Sequence, residues 1–324
     1  MPSDKLVLIL VGPTASGKTA LLDGLFGSAE GRRRYGLPEA LVISADSMQA
    51  YRGMDIGTAK PASELRARLP HRLLDIRDIR EQYTAGDFVR LADEACAEAA
   101  ASSRLPIVSG GTGFYVRNFL CGLPTAPASD PAAREAVARD LAERGPSSLR
   151  AELAATDPDS AARIHGRDLY RLTRALEIVR ATGRPLADFA AGSAARANHR
   201  FAVLALAPPP GELAARIGAR VDGMMAAGLA EEVAALRALG YAAADPGMKA
   251  IGYREFFETD CPEGRPTERK LEGIVERIKL DTRRYAKRQM TFFRGLPGVE
   301  WIPADASEAG RRIASIARDG RADI

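Results

Sequence analysis

The chain has 324 residues, of which 46% are hydrophobic and 27% are charged. These values are typical of folded globular proteins and exclude collagen-like, mucin-like and wholly disordered chains. The formal net charge of +4 is a weak indication of a polyanionic partner.

The first apolar run and the cysteine content indicate the cellular compartment. Leu6–Val11 is far shorter than the roughly 20 residues that span a bilayer, and no cleavable secretion signal surrounds it. Three scattered cysteines, Cys96, Cys121 and Cys261, form neither a disulfide framework nor a C-x-x-C metal motif. We therefore expect a cytoplasmic protein with no membrane segment and no structural zinc site.

Short apolar runs separated by helical patterns predict the fold. The runs at residues 6–11, 41–44, 107–109, 201–206 and 299–302 are typical of strands buried on both faces. Their alternation with helices predicts an α/β fold with a parallel sheet flanked by helices. Between residues 118 and 199 the chain is rich in Ala, Arg and Glu with helical periodicity. We therefore predict a core domain of residues 1–122 and 199–324, interrupted by a helical insertion domain at residues 123–198.

The first predicted strand leads into a phosphate-binding loop. Residues 12–19, GPTASGKT, fit G-x-x-x-x-G-K-[ST] and precede a helical run at residues 20–26. Backbone N–H groups and the helix N-terminus favour an anion, Lys18 adds a positive charge, and the Thr19 hydroxyl can bind Mg²⁺. The core is thus predicted to be P-loop NTPase-like, with Mg²⁺ as cofactor. The predicted diphosphate- or nucleotide-binding residues are Gly12, Pro13, Thr14, Ala15, Ser16, Gly17, Lys18 and Thr19.

The residues around this loop leave the identity of its phosphate ligand open. No Asn-Lys-x-Asp guanine-binding motif is present, and neither Asp46 nor Asp75 is a decisive metal-binding acid of an ATPase. Asp46 follows the second predicted strand, at the edge where ligands of open α/β sheets bind. It is either a functional carboxylate or a helix N-cap or solvated loop acid. The polar, glycine-punctuated residues 47–61 favour a binding loop over a helix.

Several blocks of the chain closely resemble the bacterial tRNA dimethylallyltransferases, also called tRNA isopentenyltransferases. They are GPTASGKT (12–19), SADSMQAYRGMDIGTAKP (44–61), HRLLDI (71–76), SGGTGFYVRNFLCGL (109–123), RIHGRDLYRLTRALEI (163–178), IGYRE (251–255) and TRRYAKRQMTFFR (282–294). A P-loop occurs in many enzyme classes, whereas GMDIGTAKP with GGTGFY is specific to this family. The resemblance implies transfer of a dimethylallyl group from dimethylallyl diphosphate to N6 of the adenosine 3′-adjacent to the anticodon in tRNA.

The resemblance also implies roles for individual residues. Asp46 accepts the proton of the adenine amine, while Thr14 and Arg220 contact the diphosphate. Lys18 and Thr19-bound Mg²⁺ stabilise the charge that develops on that group. Arg216 lies one turn before Arg220 on a predicted helix. Only the resemblance indicates that Arg220, and not Arg216, contacts the diphosphate. The implied tRNA contacts are Asp46, Ser47, Met48, Gln49, Thr112, Arg134, Tyr170, Arg171, Leu172, Thr173, Arg174, Lys249, Gly252, Tyr253, Arg254, Arg284, Lys287 and Arg288.

Two basic surfaces are candidates for RNA phosphates. Residues 283–294 contain five basic residues and no acid, and Arg167, Arg171 and Arg174 share one predicted helical face of the insertion. Either surface alone is more often a solvated face. Together with a phosphate site and a base-pocket acid, they favour RNA, whose unstacked loop bases are the cheapest to extrude. The interleaved Tyr285, Phe292 and Phe293 are expected to lie in the core.

Other functions are left open by the sequence. A P-loop kinase of a nucleoside or small metabolite has the same fold and loop, but it consumes a nucleoside triphosphate without RNA. A non-enzymatic RNA-binding nucleotide switch needs only the loop and the basic surfaces. Isopentenyltransferases of free adenine nucleotides need neither the insertion nor the basic carboxy-terminal helix. We expect a monomer that binds the anticodon stem-loop of tRNA and dimethylallyl diphosphate.

Overall fold

The computed structural model describes residues 6–127, 129–190, 192, 194–209, 211–259 and 266–319. The described residues form two compact units, one within Met1–Cys121 and Ala194–Ile324 and the other within Gly122–Ser193. Cys96 and Cys121 are buried free thiols, while Cys261 lies outside the described residues. No described helix has the length and apolar character needed to cross a membrane.

The first unit contains a six-stranded parallel sheet. Its strands are β1 (Leu6–Val11), β2 (Ala40–Ser44), β3 (His71–Arg72), β4 (Leu105–Gly110), β5 (Arg200–Ala207) and β6 (Val299–Pro303). They lie in the order β3-β2-β4-β1-β5-β6, and each neighbouring pair is parallel. The strands predicted from the apolar runs are confirmed. The edge strand β3 is only two residues long, which is too short to produce a sequence pattern.

Helices occupy the connections, as the alternation predicts. Those before the insertion are α1 (Lys18–Phe26), α2 (Ala29–Tyr35), α3 (Ser63–Arg68), α4 (Ala85–Ala101) and α5 (Gly113–Cys121). The second unit contains α6 (Pro131–Thr156), α7 (Pro158–Arg163) and α8 (Leu169–Thr182). The sheet unit resumes with α9 (Glu212–Ala226), α10 (Leu229–Ala238), α11 (Arg254–Glu258), α12 (Glu268–Phe293) and α13 (Ala306–Asp319).

The sheet separates two apolar cores because successive side chains of a strand point to opposite faces. Val7 and Ile9 of β1 belong to the core that contains buried residues of α4, α5, α9, α10 and α12. Leu8 and Leu10 belong to the core of α1 and α13. Both faces of the strands are therefore covered, which explains why β1 is an uninterrupted apolar run.

The second unit is helical and has a core of its own. Its buried apolar residues are Val137, Leu149, Leu153, Ala161, Leu172, Ala175, Leu176 and Val179. Helix α6 is interrupted at Gly145, which has φ 74°, and continues from Pro146. Proline is tolerated there because it begins a new helical stretch. The helical character predicted for the insertion is confirmed.

A glycine at the end of β4 allows two loops to meet at the carboxyl edge of the sheet. A Cβ on Gly110 would lie 2.2 Å from the carbonyl oxygen of Ala45. The same oxygen accepts the N–H of Thr112 at 3.0 Å, and the N–H of Ala45 donates to the Ser109 carbonyl at 2.9 Å. The loops after β2 and β4 are thus joined backbone to backbone, with no room for a side chain between them.

We expect Gly110→Ala to lower the free energy of unfolding by about 3 kcal/mol, because the methyl group overlaps a backbone carbonyl that is part of the sheet edge. Gly24→Ala is the matched control, since no atom other than those of its chain neighbours and the backbone of its own helix lies within 4 Å of the position that its Cβ would take. That substitution in α1 should raise the free energy of unfolding by up to about 1 kcal/mol through helix propensity. Urea denaturation followed by circular dichroism measures both, and equal effects would contradict the close approach.

Candidate functional site

A cavity of about 770 Å³ opens at the carboxyl ends of β1, β2 and β4. This is the edge at which open α/β sheets bind ligands, and the volume suits a small-molecule site. Its walls come from residues 14–20, 46–49, 57–59 and 109–111, from α9, from residues 249–252 and 254, and from α12. All of these stretches belong to the sheet unit.

The phosphate-binding loop forms one end of the cavity. Ala15 has φ 62° and Gly17 has φ 91°, the left-handed conformations found in anion-binding nests of N–H groups. A Cβ on Gly12 would lie 2.7 Å from Ser16 Oγ and 3.2 Å from Leu206 Cβ, so a side chain there would displace the buried Ser16 hydroxyl. Lys18 Nζ donates to the carbonyl oxygen of Gly12 at 2.8 Å. The lysine therefore lies across the loop, where its charge can meet an anion.

Three charged side chains influence one another beside this loop. The pKa of Lys18 is lowered to about 8, mainly by burial and in addition by the charge of Arg220, while Asp46 acts in the opposite direction. Burial also lowers the pKa of Arg220 against the effect of Asp46. Two desolvated cations that repel each other gain strongly from an added anion. This end of the cavity is electrostatically suited to a phosphate or diphosphate group.

The structure distinguishes the two arginines of α9. Both Arg216 and Arg220 line the cavity, but Arg216 is exposed and lies 2.8 Å from Glu212, one turn earlier. Arg220 is half-buried and is the one whose charge acts on Lys18. The geometry thus favours Arg220 as the anion-binding residue of the pair.

Asp46 lies beside the phosphate-binding loop and also shapes its own turn. Its Oδ1 accepts the N–H groups of Met48 at 2.9 Å and Gln49 at 3.4 Å. In the described part of the chain, no hydrogen bond to its Oδ2 is present. Thr112 Oγ1 accepts the N–H of Ser47 at 3.0 Å. Asp46 is therefore both a turn-forming acid and a cavity-lining carboxylate, so the two interpretations of this residue are compatible.

A buried lysine supports the segment after Asp46, which consists of turns rather than a helix. The Lys60 side chain is only 2% exposed, and its Nζ lies 2.5 Å from a carboxylate oxygen of Asp55 and of Asp75. It also donates to the Tyr51 carbonyl at 2.9 Å. All three of its N–H donors are satisfied, so Lys60 has a structural role in this loop.

Glu232 of α10 holds the glycine-containing part of the same segment. Its carboxylate accepts the N–H groups of Asp55, Ile56 and Gly57 at 3.0, 2.9 and 3.3 Å. The Tyr253 hydroxyl donates to Glu232 at 2.5 Å, and a Cβ on Gly57 would lie 2.4 Å from the Tyr253 ring. The tyrosine is completely buried. Tyr253 therefore packs against Gly57 and supports the loop of residues 47–61. In this conformation it is not accessible for the RNA contact that the resemblance implied.

Many of the predicted site residues line the cavity. They are Thr14, Ala15, Ser16, Gly17, Lys18, Thr19, Asp46, Ser47, Met48, Gln49, Arg220, Lys249, Gly252, Arg254 and Arg288. Gly12 and Pro13 are buried at the base of the loop. Arg284 and Lys287 are exposed on α12, the helix that brings Arg288 to the cavity.

The remaining predicted residues lie in the helical unit. Arg134, Tyr170 and Arg171 are exposed, whereas Thr173 and Arg174 are half-buried. Arg174 lies 2.8 Å from the Glu177 carboxylate. Leu172 is completely buried in the core of this unit. The side chain of Leu172 therefore packs inside the insertion and cannot contact RNA in this conformation, which corrects its assignment.

Two residues of α12 enter the cavity contrary to the sequence analysis. Gln289 lines the cavity and was missed. Tyr285, which was expected in the core, lines it too, and burial raises the pKa of Tyr285 to about 12. Phe293 is completely buried and Phe292 packs against the core, as predicted.

Helical spacing is the signal that could have found Tyr285 and Gln289. Ile278, Thr282, Tyr285 and Gln289 all line the cavity, and their spacing places them on one face of a helix. Periodicity alone does not tell whether such a face meets a core or a cavity.

Comparisons with known proteins agree over nearly the whole chain. Residues 49–296 match the model of a family described as IPP transferase. A tRNA dimethylallyltransferase of Anaeromyxobacter sp. (strain Fw109-5) is 45% identical over 309 residues, covering 95% of this chain and 98% of the relative. The solved tRNA isopentenylpyrophosphate transferase of Bacillus halodurans has a TM-score of 0.67 and 34% identity, covering 98% of this chain and 97% of that one. A eukaryotic dimethylallyltransferase acting on tRNA has a TM-score of 0.75 and 26% identity, covering 97% and 79%.

We expect Lys60→Met to lower the free energy of unfolding by about 2 kcal/mol, because it leaves the buried Tyr51 carbonyl and the Asp55 carboxylate without their cation, whereas Asp75 keeps its ion pair with Arg66. Lys279→Met is the control. Lys279 also lies near two carboxylates, those of Asp222 and Glu276, but its side chain is 17% exposed against 2% for Lys60, and among the described residues it donates to no backbone carbonyl. Its replacement should cost less than about 1 kcal/mol. Chemical denaturation of both variants tests this difference, and a loss no greater for Lys60→Met would refute the structural role.

Proposed function

The chain belongs to the IPP transferase family, and from that premise we propose that it is a tRNA dimethylallyltransferase. It transfers the dimethylallyl group of dimethylallyl diphosphate to N6 of an adenosine in tRNA, and we infer that this adenosine is the one 3′-adjacent to the anticodon. One observation carries the proposal. A single cavity is lined by the cationic phosphate-binding loop and by Asp46, which suits a diphosphate donor and an amine acceptor side by side.

The reaction exchanges one bond of the dimethylallyl carbon for another. A bond from the adenine N6 to that carbon forms while the bond from the carbon to the diphosphate oxygen breaks. The bonding electron pair leaves with the diphosphate, so negative charge builds on this group. Lys18, Arg220 and the N–H groups of the phosphate-binding loop are proposed to stabilise the charge. The desolvation of both cations in the cavity supports this role.

Asp46 is proposed to take the proton that N6 loses. The exocyclic amine is a poor nucleophile because its lone pair is conjugated with the ring, so removal of the proton assists bond formation. Among the cavity-lining residues that the structure describes, Asp46 is the one acid. Its Oδ1 is held by backbone N–H groups, which leaves Oδ2 as the proposed proton acceptor.

The oxygen donors at the phosphate end fit Mg²⁺. Among the described residues no group of three His, Cys, Asp or Glu side chains could hold a metal ion. The Thr19 hydroxyl and the Asp46 carboxylate line the cavity, and Mg²⁺ commonly uses one or two protein oxygens together with phosphate and water oxygens. We propose that Thr19 holds the ion. When bound, Mg²⁺ supplies positive charge to the diphosphate.

The basic residues of α12 support an RNA acceptor. Arg283, Arg284 and Lys287 are exposed on this helix, and Arg288 reaches the cavity itself. A phosphate-binding surface that ends at the cavity suits a base extruded from a single-stranded loop, which is the cheapest base to unstack. The anticodon loop meets this requirement. Every relative compared above is named as a tRNA transferase, so none favours the kinase alternative.

A transfer assay tests the function directly. Purified protein with Mg²⁺ and labelled dimethylallyl diphosphate should label unmodified tRNA, and digestion should release the label as N6-dimethylallyladenosine. AMP serves as the acceptor control, and reactions with and without ATP test for kinase chemistry. Labelling of AMP in place of tRNA, or a requirement for ATP, would overturn the proposal.

We expect Asp46→Asn to lower kcat by about 10²- to 10⁴-fold while the Kd for tRNA stays within about twofold. The amide oxygen can still accept the Met48 N–H, so the turn is preserved while the proton acceptor is lost. Single-turnover kinetics and filter binding measure the two quantities. Asp46→Ala removes both functions and should show a weaker tRNA affinity as well. If Asp46→Asn lost binding and rate equally, Asp46 would be a recognition residue.

The pKa of Lys18 predicts a pH dependence. Lys18 is proposed to bind the donor as a cation, and its pKa is lowered to about 8. Because kcat/KM reports the free enzyme, its value for dimethylallyl diphosphate should fall about tenfold per pH unit above pH 8. In Lys18→Arg the guanidinium keeps its charge, so a lower but flat profile is expected between pH 8 and pH 9.5. A wild-type profile that stays flat to pH 9.5 would refute the role of this charge.

A further inference from the structure

A buried amide side chain joins the two ends of the cavity. We propose that Gln289 is a positioning residue, which holds the phosphate-binding loop in register with the loop that receives the acceptor base. The assignment of one end to the donor and the other to the acceptor rests on the proposed function. The contacts themselves do not depend on it.

Gln289 uses both ends of its carboxamide to bridge distant parts of the chain. Its side chain is buried, with 4% of the residue exposed. Oε1 accepts the N–H of Thr14 at 2.8 Å, and Nε2 donates to the carbonyl oxygen of Gly111 at 2.8 Å. Thr14 lies 275 residues away in sequence and Gly111 lies 178 residues away. An aliphatic side chain of equal size would remove both hydrogen bonds, leaving the Gly111 carbonyl with only the longer bond from the Tyr285 hydroxyl at 3.3 Å.

On the donor side, Gln289 acts on the strained part of the phosphate-binding loop. Thr14 directly precedes Ala15, which has φ 62°, a conformation that is unfavourable for any residue with a Cβ. Such a conformation persists only where surrounding contacts hold it. The bond from the Thr14 N–H to Gln289 is one contact, and that from the Ser16 N–H to the Pro13 carbonyl at 3.2 Å is another.

On the acceptor side, the bridge continues to the loop of Asp46. Gly111 is followed by Thr112, whose N–H donates to the Ala45 carbonyl and whose Oγ1 accepts the Ser47 N–H, both at 3.0 Å. Ala45 and Ser47 flank Asp46 in the chain. A chain of hydrogen bonds thus runs from Thr14 through Gln289 and the Gly111 turn to the backbone on either side of Asp46.

Gly111 is shaped to receive this amide. A Cβ at Gly111 would lie 2.4 Å from Gln289 Nε2, and the next nearest atom, at 3.7 Å, also belongs to Gln289. An alanine at this position therefore displaces the end of one flexible side chain and meets no backbone atom. Gly111→Ala perturbs the bridge while Gln289 is retained.

The central experiment is Gln289→Met, which keeps the side-chain length and removes both hydrogen bonds. We expect the Kd for Mg²⁺-pyrophosphate, measured by calorimetry, to rise about tenfold. We expect kcat for transfer to tRNA to fall about 10- to 100-fold, since misplacement by about 1 Å has costs of this size. The Kd for tRNA without donor should stay within about twofold, because the exposed basic side chains of α12 are retained. Pyrophosphate binding needs no transfer, so this measurement stands even if the proposed function fails in the wild-type protein.

Further variants separate positioning from general destabilisation. Gln82→Met alters an exposed glutamine and should match the wild type in all three measurements. Gly111→Ala should reproduce the Gln289→Met changes. The double variant Gly111→Ala/Gln289→Met should change the Kd for pyrophosphate and kcat little beyond Gln289→Met alone, because both substitutions disrupt the same pair of hydrogen bonds. Gln289→Glu keeps an acceptor for Thr14 but cannot donate to Gly111, and it too should weaken pyrophosphate binding.

Two outcomes would overturn the proposal. One is that Gln289→Met binds pyrophosphate and turns over tRNA like the wild type. The other is that the amount of pyrophosphate bound and the rate of transfer to tRNA fall only in proportion to the folded fraction seen by circular dichroism, while the Kd for pyrophosphate and the KM for the donor are unchanged. The second outcome would assign Gln289 a structural role alone.

Discussion

The close approach of Gly110 to the Ala45 backbone is the contact on which the site depends. Parallel strands end at the same edge of a sheet, so the loops after β1, β2 and β4 must share a small space. A side chain at Gly110 would force two of these loops apart. Because the backbones touch, Thr112 can bond to the residues on both sides of Asp46. The cavity between the loops is then lined by the phosphate-binding loop and by Asp46 together.

A buried lysine, Lys60, and a half-buried one, Lys18, show that the partners of a charged side chain determine whether its role is structural or functional. Lys60 contacts two carboxylates and a backbone carbonyl, so its charge is compensated within the protein. Lys18 has backbone carbonyl partners and a neighbouring arginine, and burial lowers its pKa to about 8. An incompletely compensated cation in a cavity is characteristic of a functional site. The first lysine supports the loop, and the second is available to a ligand.

The sequence predicted the elements whose signals are local. The apolar runs of β1, β2, β4, β5 and β6 mark strands covered on both faces, and the loop at residues 12–19 has a motif with specific flanks. The signals for β3 and for the cavity face of α12 are weaker, because a two-residue strand has no pattern and a helical face that lines a cavity has the same spacing as one that packs in a core. The family resemblance implied that Leu172 and Tyr253 contact tRNA, but both side chains are buried. Their burial could not be predicted from the sequence, because it depends on packing between distant segments.

The amino-acid sequence by itself determined the α/β class, the helical character of the insertion, the phosphate-binding loop and the family, since each is encoded in local pattern or in ordered motifs. Only the tertiary structure decided which side chains share the cavity. It favoured Arg220 over Arg216 through burial and charge, combined the turn-forming and cavity-lining roles of Asp46, and placed Gln289 between Thr14 and Gly111. These assignments depend on contacts between residues far apart in the chain, and the spacing of residues within a short segment does not predict such contacts.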